Sequence, residues 1–456
     1  MATTGKAVSA TVLGSLLFEA GVGCRREPLV RRNVGTMAAS DPILVSYRKA
    51  IKKMMALPDT NPHSWAFQGA LHWTTITPVL PVWDKCEHWT DFFWSWHRMY
   101  LYWFERIVRR IADDDDWAIP YWDWAPGSDF HLPAPFRDTT SELYTVNRDP
   151  LMNNGAGALN SVAVDVTGSF ALANFFNTNL NIQAPHGSVH VETGGWMSSV
   201  PTAAQDPIFY VHHSNVDRLW DLWLAQGGAR SDPVTDATWT GKVYTFFNEH
   251  GKEVNMTACE ILRAAEQLHY KYEGEPPQVL NYCQGQQKHA GRKFEEEVLL
   301  QAPGPPVELG GERVSVPIDI KEIAKRIAAV AESRTDMLLL QLDDVEAERQ
   351  PGVVWGVFVG LPEGGEATAG IAAHVGSLSM FGAAIRSEAG HGRAFQPARF
   401  VFPLNRAVQA ALKESSEKLT ITFVPQGIVV NGRATRPEVK ATVKIGKMSL
   451  VIEKAK

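Results

Sequence analysis

The segment Cys86-Glu-His-Trp-Thr-Asp-Phe-Phe-Trp-Ser-Trp-His-Arg-Met-Tyr-Leu-Tyr-Trp-Phe-Glu105 decides the fold of the first half of this chain. It places two histidines, His88 and His97, among many aromatic residues. A histidine beside so much apolar surface is unfavourable unless its ring nitrogens are bonded. A metal ion satisfies one nitrogen, and a hydrogen-bond acceptor satisfies the other. Nine residues are two and a half helical turns, so both rings can reach one metal only if His97 lies on a helix and His88 precedes it.

A second group of histidines begins about ninety residues later. In Pro185-His-Gly-Ser-Val-His190 the two histidines are four residues apart, which places both rings on one face of a helix. Asp206 and Pro207 then predict the N-cap and first turn of another helix. That helix contains the adjacent pair His212 and His213, and helical phase does not decide between them as metal ligands.

The two groups together indicate a metal site rather than isolated core histidines. All-imidazole ligation without carboxylates suits copper, zinc or iron and disfavours magnesium and calcium. Asp217, four residues after His213, is predicted either to orient a ligand or to join a polar network between helices. The grouped histidines are His72, His88, His97, His186, His190 and one of His212 and His213.

The remaining pattern predicts a helical domain followed by an all-β domain. A chain of 456 residues is expected to form two or three domains. Apolar residues recur at helical spacing from Pro42 to about Leu57, and one more helix is predicted over 253–272. Alternating apolar residues then predict an antiparallel C-terminal sandwich or barrel. The predicted units are an N-terminal segment (1–29), a mainly α metal-binding domain (30–272), a linker (273–312) and the C-terminal β domain (313–456).

Composition excludes several classes of function. A formal net charge of -6 does not support binding to nucleic acid or to anionic membranes. No apolar run approaches the roughly 20 residues that a membrane helix needs. Four cysteines are no disulfide framework, although Cys259 and Cys283 are able to pair. Residues 1–24 resemble an export signal that Glu19 interrupts, so we favour the cytoplasm slightly over export. The sequence does not indicate an oligomeric state.

The two histidine segments resemble the copper signatures of the type-3 copper family, which comprises tyrosinases, catechol oxidases and molluscan-type hemocyanins. His88-Trp-Thr-Asp-Phe-Phe-Trp-Ser-Trp-His-Arg98 resembles the first signature, and Asp206-Pro-Ile-Phe-Tyr-Val-His-His-Ser-Asn-Val-Asp-Arg-Leu-Trp220 resembles the second. The similarity covers about 31–272 and implies a four-helix bundle that holds two copper ions in its core. The ligand sets that it implies are His72, His88 and His97 for one copper, and His186, His190 and His213 for the other.

The same resemblance implies an oxidase that uses O2 to convert o-diphenols into o-quinones and that also hydroxylates monophenols. Two departures weaken the second activity. Gly187 stands where tyrosinases with strong monophenol activity often have Asn. Asn177 stands where a Glu often holds a water, and an amide cannot act as a carboxylate base. Gly187 and Val191 are small or medium in size, and Val200 is predicted in the loop that roofs the pocket, so we expect an open mouth.

Two further implications concern the ligand His88 and the β domain. Cys86-Glu-His88 resembles the Cys-x-His of fungal members, in which the sulfur is joined to the ring of the ligand as a thioether; the alternative is a buried thiol. The C-terminal domain resembles the one that follows the copper domain in plant-type polyphenol oxidases. It is predicted either to cover the copper site as a lid or to stabilise the protein.

Three alternatives to the tyrosinase prediction remain. The first is a catechol oxidase without useful monophenol activity. The second is a hemocyanin-like O2 carrier, which the absence of repeated units disfavours. The third is a zinc hydrolase, which is disfavoured because the motifs contain no carboxylate ligand or water-activating Glu.

Overall fold

The computed structural model describes residues 27–125, 127–275, 293–383, 397–413 and 417–456. The α-helices are α1 (Pro42–Met55), α2 (Trp65–His72), α3 (Phe93–Ala112), α4 (Pro150–Asn154), α5 (Thr167–Ala171), α6 (Phe175–Asn181), α7 (Gln183–Thr193), α8 (Val200–Ala203), α9 (Ile208–Ala225), α10 (Ala237–Gly241), α11 (Ala264–Gln267), α12 (Ala324–Glu332) and α13 (Asn405–Ala411). The strands of the helical domain are β1 (Leu29–Arg31), β2 (Gly157–Ala158), β3 (Val243–Phe247), β4 (Glu253–Thr257) and β5 (Tyr270–Tyr272). Those of the C-terminal domain are β6 (Phe294–Gln301), β7 (Val307–Leu309), β8 (Val314–Asp319), β9 (Asp336–Ala347), β10 (Val354–Val359), β11 (His374–Ser379), β12 (Ala398–Pro403), β13 (Lys418–Gln426), β14 (Val429–Val430), β15 (Arg433–Ala434) and β16 (Val443–Ala455).

Helix α3 is the central element of the first domain and packs against α1 and α9. Its aromatic residues are buried, and the ring of Trp94 stacks on that of Trp220 in α9 at 5.7 Å. Phe104 stacks on Tyr210 of the same partner helix at 3.6 Å. Asp113, the first residue of an acidic run, ends α3 in a left-handed conformation. Four helices, α2, α3, α7 and α9, carry the grouped histidines into one core.

A buried polar network fixes α9 relative to α3. Asp217 of α9 accepts hydrogen bonds from Arg31, Arg98, Tyr270 and Tyr272. Burial opposes the charge of this carboxylate, but the two arginines hold its pKa below the ordinary value. These bonds match the second of the two predicted roles for Asp217, the network between helices. The same network joins the two ends of the helical domain. Arg31 lies in β1, Tyr270 and Tyr272 lie in β5, and these two strands form a parallel pair.

The C-terminal domain contains two antiparallel sheets. One has the strand order β11-β10-β13-β8, and the other has the order β12-β9-β16-β6, with β7 paired to the first part of β16. The domain is not purely β, because α12 and α13 pack against each other and against β9. Two separate apolar runs of the sequence, 443–445 and 450–452, both lie in the long strand β16.

Two predictions about chain segments are corrected. The predicted linker 273–312 contains β6, which pairs with β16 from Phe294 opposite Ala455 to Gln301 opposite Ser449, and also β7. The second domain therefore begins near Lys293 rather than at residue 313. The predicted helix 253–272 is instead β4, the short helix α11 and β5, because the aromatic and β-branched residues at its ends pair with β3 and β1.

The two domains are in direct contact. Strand β14 pairs with β2, so a hairpin of the C-terminal domain adds to the edge of a strand in the helical domain. Asn181 donates a hydrogen bond to the carbonyl of Val401, and the backbone at Gly168 lies against the carbonyl of Val375. Phe381 of the C-terminal domain is buried in the core of the helical domain. The domains therefore share part of their cores.

Some predictions concern residues that the structure does not describe. The export-like segment 1–24 and Cys283 lie outside the described residues. Cys259 is disulfide-bonded, and its partner also lies outside them. Within the described ranges, no helix combines the length and the apolar character needed to cross a membrane.

Candidate metal centre

Six histidines reach the core from four helices and one connecting segment. His72 is the last residue of α2, His97 lies in α3, His186 and His190 lie one turn apart in α7, and His213 lies in α9. His88 precedes α3 in an irregular segment, as the helical phase predicted. All six are at most 5% exposed.

The rings form two adjacent triangles. In the first, the ring centroids of His72, His88 and His97 are separated by 5.0, 5.3 and 5.8 Å. In the second, those of His186, His190 and His213 are separated by 4.7, 4.9 and 5.5 Å. Three imidazoles that share one ion at a metal–nitrogen distance of about 2 Å would have centroids about 5 Å apart, which matches both triangles.

The two triangles lie side by side. The ring of His97 stacks on that of His213 at 4.4 Å with an interplanar angle of 9°. His88 lies 5.8 Å from His186 on the other side of the same boundary. Two ions bound in the triangles would therefore be neighbours in one buried pocket.

Backbone carbonyls orient most of the rings. Nδ1 of His97 lies 2.8 Å from the carbonyl oxygen of Phe93, and Nδ1 of His190 lies 2.9 Å from that of Met197. Nδ1 of His186 similarly faces the carbonyl of Gln183 at 3.3 Å. Because a carbonyl only accepts, Nδ1 carries the proton and Nε2 is left as the ligand atom. Nε2 of His97 and of His186 is buried and has no hydrogen-bond partner among the residues that the structure describes, which is the condition that a metal ion would satisfy.

Burial keeps these rings neutral. It lowers the pKa of His97 to about 3, against the small opposing effect of its bond to Phe93. The pKa values of His186, His190 and His213 are also well below the ordinary value because of burial and because each ring faces other histidines. Neutral imidazole is the form that binds metal, so the site is prepared for ligation across the physiological range of pH.

His213 and His212 both lie beside His186 and His190, and they differ in their contacts with the first triangle. His213 faces His97 across the shared boundary, and its Nε2 lies 3.3 Å from Nε2 of His190. His212 stacks on His186 at 5.2 Å, lies 4.8 Å from His190 and contacts Trp124. Both residues are within reach of the second triangle, but His213 is the one that lies between the two.

Cys86 is buried beside the central ligand of the first triangle. Its Sγ lies 3.4 Å from Nδ1 of His88. The sulfur therefore occupies the position that a backbone carbonyl takes for His72, His97, His186 and His190.

The mouth of the site is covered, so the predicted open mouth is wrong for this chain. Phe381, two residues after β11, stacks on His190 at 3.9 Å with an interplanar angle of 6°. Its edge also meets His88 and His186, and its carbonyl accepts a hydrogen bond from the indole of Trp89. We call Ser379 to Gly382 the plug segment.

Small residues make room for the plug segment instead of leaving a gap. A Cβ at Gly187 would lie 2.8 Å from Oγ of Ser379 and 3.0 Å from Cβ of Phe381. A Cβ at Gly382 would lie 2.6 Å from the ring of His88. Val200 is buried in α8, and its carbonyl faces Nδ1 of His72 at 3.2 Å, so its contact with the site is through the backbone. Val191 is half-buried against the helical core.

Asn177 faces the C-terminal domain. Its amide donates hydrogen bonds to Glu453 of β16 at 2.6 Å and to Glu296 of β6 at 3.0 Å. Sequence reasoning missed Phe381, Gly382 and Glu453, because nothing in the local pattern of a strand or a turn indicates a contact with a residue that is far away along the chain.

Family models match both domains. The model for the common central domain of tyrosinase matches residues 62–176 and 167–226. A domain of unknown function (DUF7868) matches residues 300–453.

Curated relatives match part of the chain. The latent form of chloroplastic polyphenol oxidase from Prunus armeniaca is 27% identical over an alignment of 379 residues that covers 72% of this chain and 62% of that protein. Tyrosinase HcTyr1 from Hahella sp. (strain CCB-MM4) is 31% identical over an alignment of 299 residues that covers 53% of this chain and 62% of that protein. The chain thus spans about three fifths of the length of these relatives.

Solved structures resemble the whole chain. Latent aurone synthase, a polyphenol oxidase, is 20% identical with a TM-score of 0.67 and covers 94% of this chain and 91% of its own. Latent apple tyrosinase is 21% identical with a TM-score of 0.64 and covers 95% and 98%. At this identity the likeness concerns the fold, in which a helical domain is followed by a β domain. Residues 62–226 of this chain are thus a tyrosinase central domain, and the relatives that the chain resembles are tyrosinases and polyphenol oxidases.

Proposed function

We propose that this chain is an oxidase that uses O2 to convert o-diphenols into o-quinones at a pair of copper ions. The observation that supports it best is the pair of buried imidazole triangles, in which Nδ1 of four of the six rings faces a backbone carbonyl. A copper pair, when bound, supplies O2 binding and accepts electrons from the phenol. In this proposal one copper takes His72, His88 and His97, and the other takes His186, His190 and His213.

The chain's own residues supply geometry and dryness. Phe93 lies 4.7 Å from both His97 and His186, and Phe209 lies 4.8 Å from His72 and 4.3 Å from His213. These rings wall the histidines with apolar surface, which excludes water from the metals. The buried backbone bonds to Nδ1 hold His72, His97, His186 and His190 in one orientation without a counter-charge.

Metal content tests the ligand assignment independently of turnover. The full-length protein is expected to bind two copper ions per chain, as two three-histidine sites require. His97→Ala and His186→Ala should each lose about one copper. His212→Ala should lose none, and His63→Ala, at a half-buried histidine elsewhere, is the control. Equal copper loss in His212→Ala and the ligand variants would contradict the assignment, as would a zinc-only protein.

We propose that diphenol oxidation exceeds monophenol hydroxylation. The amide of Asn177 is bonded to two glutamates of the β domain and offers no carboxylate base to a phenol. Tyrosine should therefore be oxidised slowly and after a lag, whereas dihydroxyphenylalanine should react at once. Tyrosine turnover at the same rate and without a lag would contradict this proposal. Steady formation of quinone from catechol would also distinguish the enzyme from an O2 carrier.

We further propose that the full-length chain is latent because Phe381 occupies the place of the substrate ring. Its stacked position on His190, 3.9 Å away, is one that a phenol bound over the second triangle would need. Phe381→Ala is expected to raise the rate with catechol at least tenfold. Phe381→Leu retains most of the volume and should stay near the basal rate. Phe402→Leu, another buried phenylalanine of the same domain, controls for loss of packing.

The latency proposal fails if Phe381→Ala, folded and loaded with copper, has the activity of the unmodified protein. The compartment remains a prediction from the sequence. The relative from Prunus armeniaca is named as chloroplastic. We therefore propose that cell fractionation should test for an organellar location as well as a cytoplasmic one.

A further inference from the structure

Trp89 lies in the helical domain, but its side chain packs on the β domain. Its ring centroid is 4.2 Å from that of Phe400 in β12, and its indole donates a hydrogen bond of 3.0 Å to the carbonyl oxygen of Phe381. The ring also packs against the hydrophobic core of the β domain. Because Trp89 directly follows His88, these contacts reach the neighbour of a proposed ligand of the first copper.

The backbone of Trp89 has an unfavourable conformation. Its φ is 55°, in the left-handed region, where a bulky residue other than glycine is rarely found. Such a conformation persists only where the surrounding structure holds it. The backbone N–H donates to the side-chain oxygen of Gln183 in α7, and the β domain holds the side chain through the two contacts above. Both domains therefore contribute to this turn of the chain.

His88 differs from the other five proposed ligands in what holds it. It lies in an irregular segment, whereas the others lie in helices. The plug segment also packs on its ring. The ring centroids of His88 and Phe381 are 5.6 Å apart, and a Cβ on Gly382 would lie 2.6 Å from the ring of His88. The plug segment thus contacts this ligand directly, and it also binds the next residue, Trp89.

The second triangle has separate support from the helical domain. Phe381 covers His190 as well, but α7 carries that ring, and its Nδ1 lies 2.9 Å from the carbonyl oxygen of Met197. His186 lies in the same helix, and His213 lies in α9. These three ligands therefore keep their positions without the β domain.

The helical domain fixes the chain on either side of His88. The N–H of Cys86 donates to a carbonyl at the end of α2 at 3.3 Å, and the side chain of Asn179 in α6 donates to the carbonyl of Thr90 at 2.7 Å. Between these two points, a rotation about the N–Cα bond of Trp89 moves His88 relative to α3. Loss of the β-domain contacts would let φ relax out of the left-handed region, and the imidazole would move away from the rest of the first triangle.

We propose that docking of the β domain positions His88 through Trp89, so that both domains retain the first copper ion and the helical domain alone retains the second. Trp89 is then a positioning residue, because it acts on the metal through its neighbour in the chain. The inference rests on the proposed copper sites and adds that docking strengthens one of them. Separation of the domains would therefore weaken the first copper site as well as uncover it.

Release of Cu(I) to an excess of the chelator bicinchoninate tests this inference. The full-length protein is loaded with two Cu(I) ions under argon, and the coloured chelate is followed at chelator concentrations where the rate no longer depends on the chelator. Without an oxidant, the sulfur of Cys86 does not join the ring of His88. Partners that orient a metal ligand typically change metal affinity by about 10- to 100-fold. We therefore expect Trp89→Ala to release one of its two ions at least about tenfold faster than the unmodified protein does, and the other at an unchanged rate.

Single-site variants identify the ion that is released. In His186→Ala, which is expected to keep only the first copper, adding Trp89→Ala should speed release by the same factor. In His97→Ala, which is expected to keep only the second, adding it should not change the rate. This selectivity separates the positioning of His88 from a general loosening of the protein, which would affect both ions.

Two conservative variants separate the contacts of Trp89. Trp89→Phe keeps a ring beside Phe400 and loses the bond to Phe381, so its effect should be smaller and limited to the first copper. Trp355→Phe is the matched control, because the indole of Trp355 also donates at 3.0 Å to a backbone carbonyl, that of Gly310 within the β domain. This control should release both ions at the rates of the unmodified protein.

The inference is overturned if Trp89→Ala releases both ions at the unmodified rates, or if it speeds both equally. Should Trp89→Ala fail to fold, Phe400→Leu tests the same contact from the β domain, with Phe402→Leu on the same strand as its control. Faster release of the first ion alone in Phe400→Leu supports the inference, and unselective release overturns it. An unmodified protein that binds fewer than two copper ions contradicts the proposed function and this inference together, whereas two ions without selective release overturn the inference alone.

Discussion

At the scale of the residue, the sequence predicted the grouped histidines but not the phenylalanine that covers them. Nine residues between His88 and His97 ruled out a shared helical face, and the structure places His88 before α3 as that phase requires. Helical phase does not decide between His212 and His213, because adjacent residues on a buried helix can both reach a core. Phe381 had no local signal, since a phenylalanine after a strand is ordinary until its distant neighbours are known.

The sulfur of Cys86 gives the prediction that belongs to this scale. It lies 3.4 Å from Nδ1 of His88, so a carbon of the same ring is also near. With copper and O2 present, we expect an S–C bond to replace the S–H and ring C–H bonds, and O2 to take the two electrons and two protons as hydrogen peroxide. The intact mass should then fall by two hydrogen atoms, as measured by mass spectrometry.

Two controls make this measurement decisive. Cys86→Ser should keep its calculated mass under the same conditions, and so should unmodified protein that is kept free of copper. If the measured mass of the unmodified protein still equals the calculated mass after copper loading and turnover in air, Cys86 remains a thiol that packs beside His88.

At the scale of the element, long periodic segments were predicted and charged edge strands were not. Helix α9 follows from its N-terminal Asp-Pro and apolar face, and β10 follows from a run of apolar residues that is buried throughout. Strand β6 begins Phe-Glu-Glu-Glu and is largely exposed, so its sequence is typical of a linker. Its pairing with β16 supplies the strand structure that its composition does not indicate.

The contact between α6 and β16 gives a prediction about pH. Burial and the nearby Glu296 raise the pKa of Glu453, although bonds from Asn174 and Asn177 oppose the rise. A carboxyl with a raised pKa in the folded state stabilises the protein fully at pH values below the pKa of the unfolded chain. That stabilisation is lost as pH rises through the folded pKa. Glu453→Gln should therefore increase the free energy of unfolding at pH 7 to 8, by on the order of 1 kcal/mol, the size of one buried hydrogen bond.

Denaturant unfolding at several pH values measures this difference. The gap between Glu453→Gln and the unmodified protein should shrink towards pH 4, where the glutamate is protonated in both states. Glu308→Gln, on the exposed strand β7, is the control and should follow the unmodified protein. If Glu453→Gln instead loses stability relative to the unmodified protein as the pH rises from 5 to 8, the charge of Glu453 is favourable.

At the scale of the whole molecule, the two domains were predictable, but their boundary and their docking were not. The change from helical to alternating periodicity separates them along the chain. The docking depends on contacts that no local pattern reveals, such as the pairing of β14 with β2 and the ring of Phe400 against Trp89 at 4.2 Å. Asn160 adds hydrogen bonds to Gln426 and Gly427. The plug segment is therefore held by an interface and not by the covalent connection alone.

This arrangement predicts that cutting the connection will not by itself activate the protein. A specific protease site placed within 276–292, which lie outside the described residues, would cleave the chain between the domains. We expect the fragments to elute as one complex and the rate with catechol to stay near the basal level. Activity should rise only when dilute denaturant or detergent separates the fragments, and it should rise together with their separation on a size-exclusion column. Cleaved Phe381→Ala should be active without separation, because the ring that covers His190 is absent. Full activity of the cleaved, still associated complex of the unmodified chain would mean that the connection, and not the interface, holds Phe381 over the histidines.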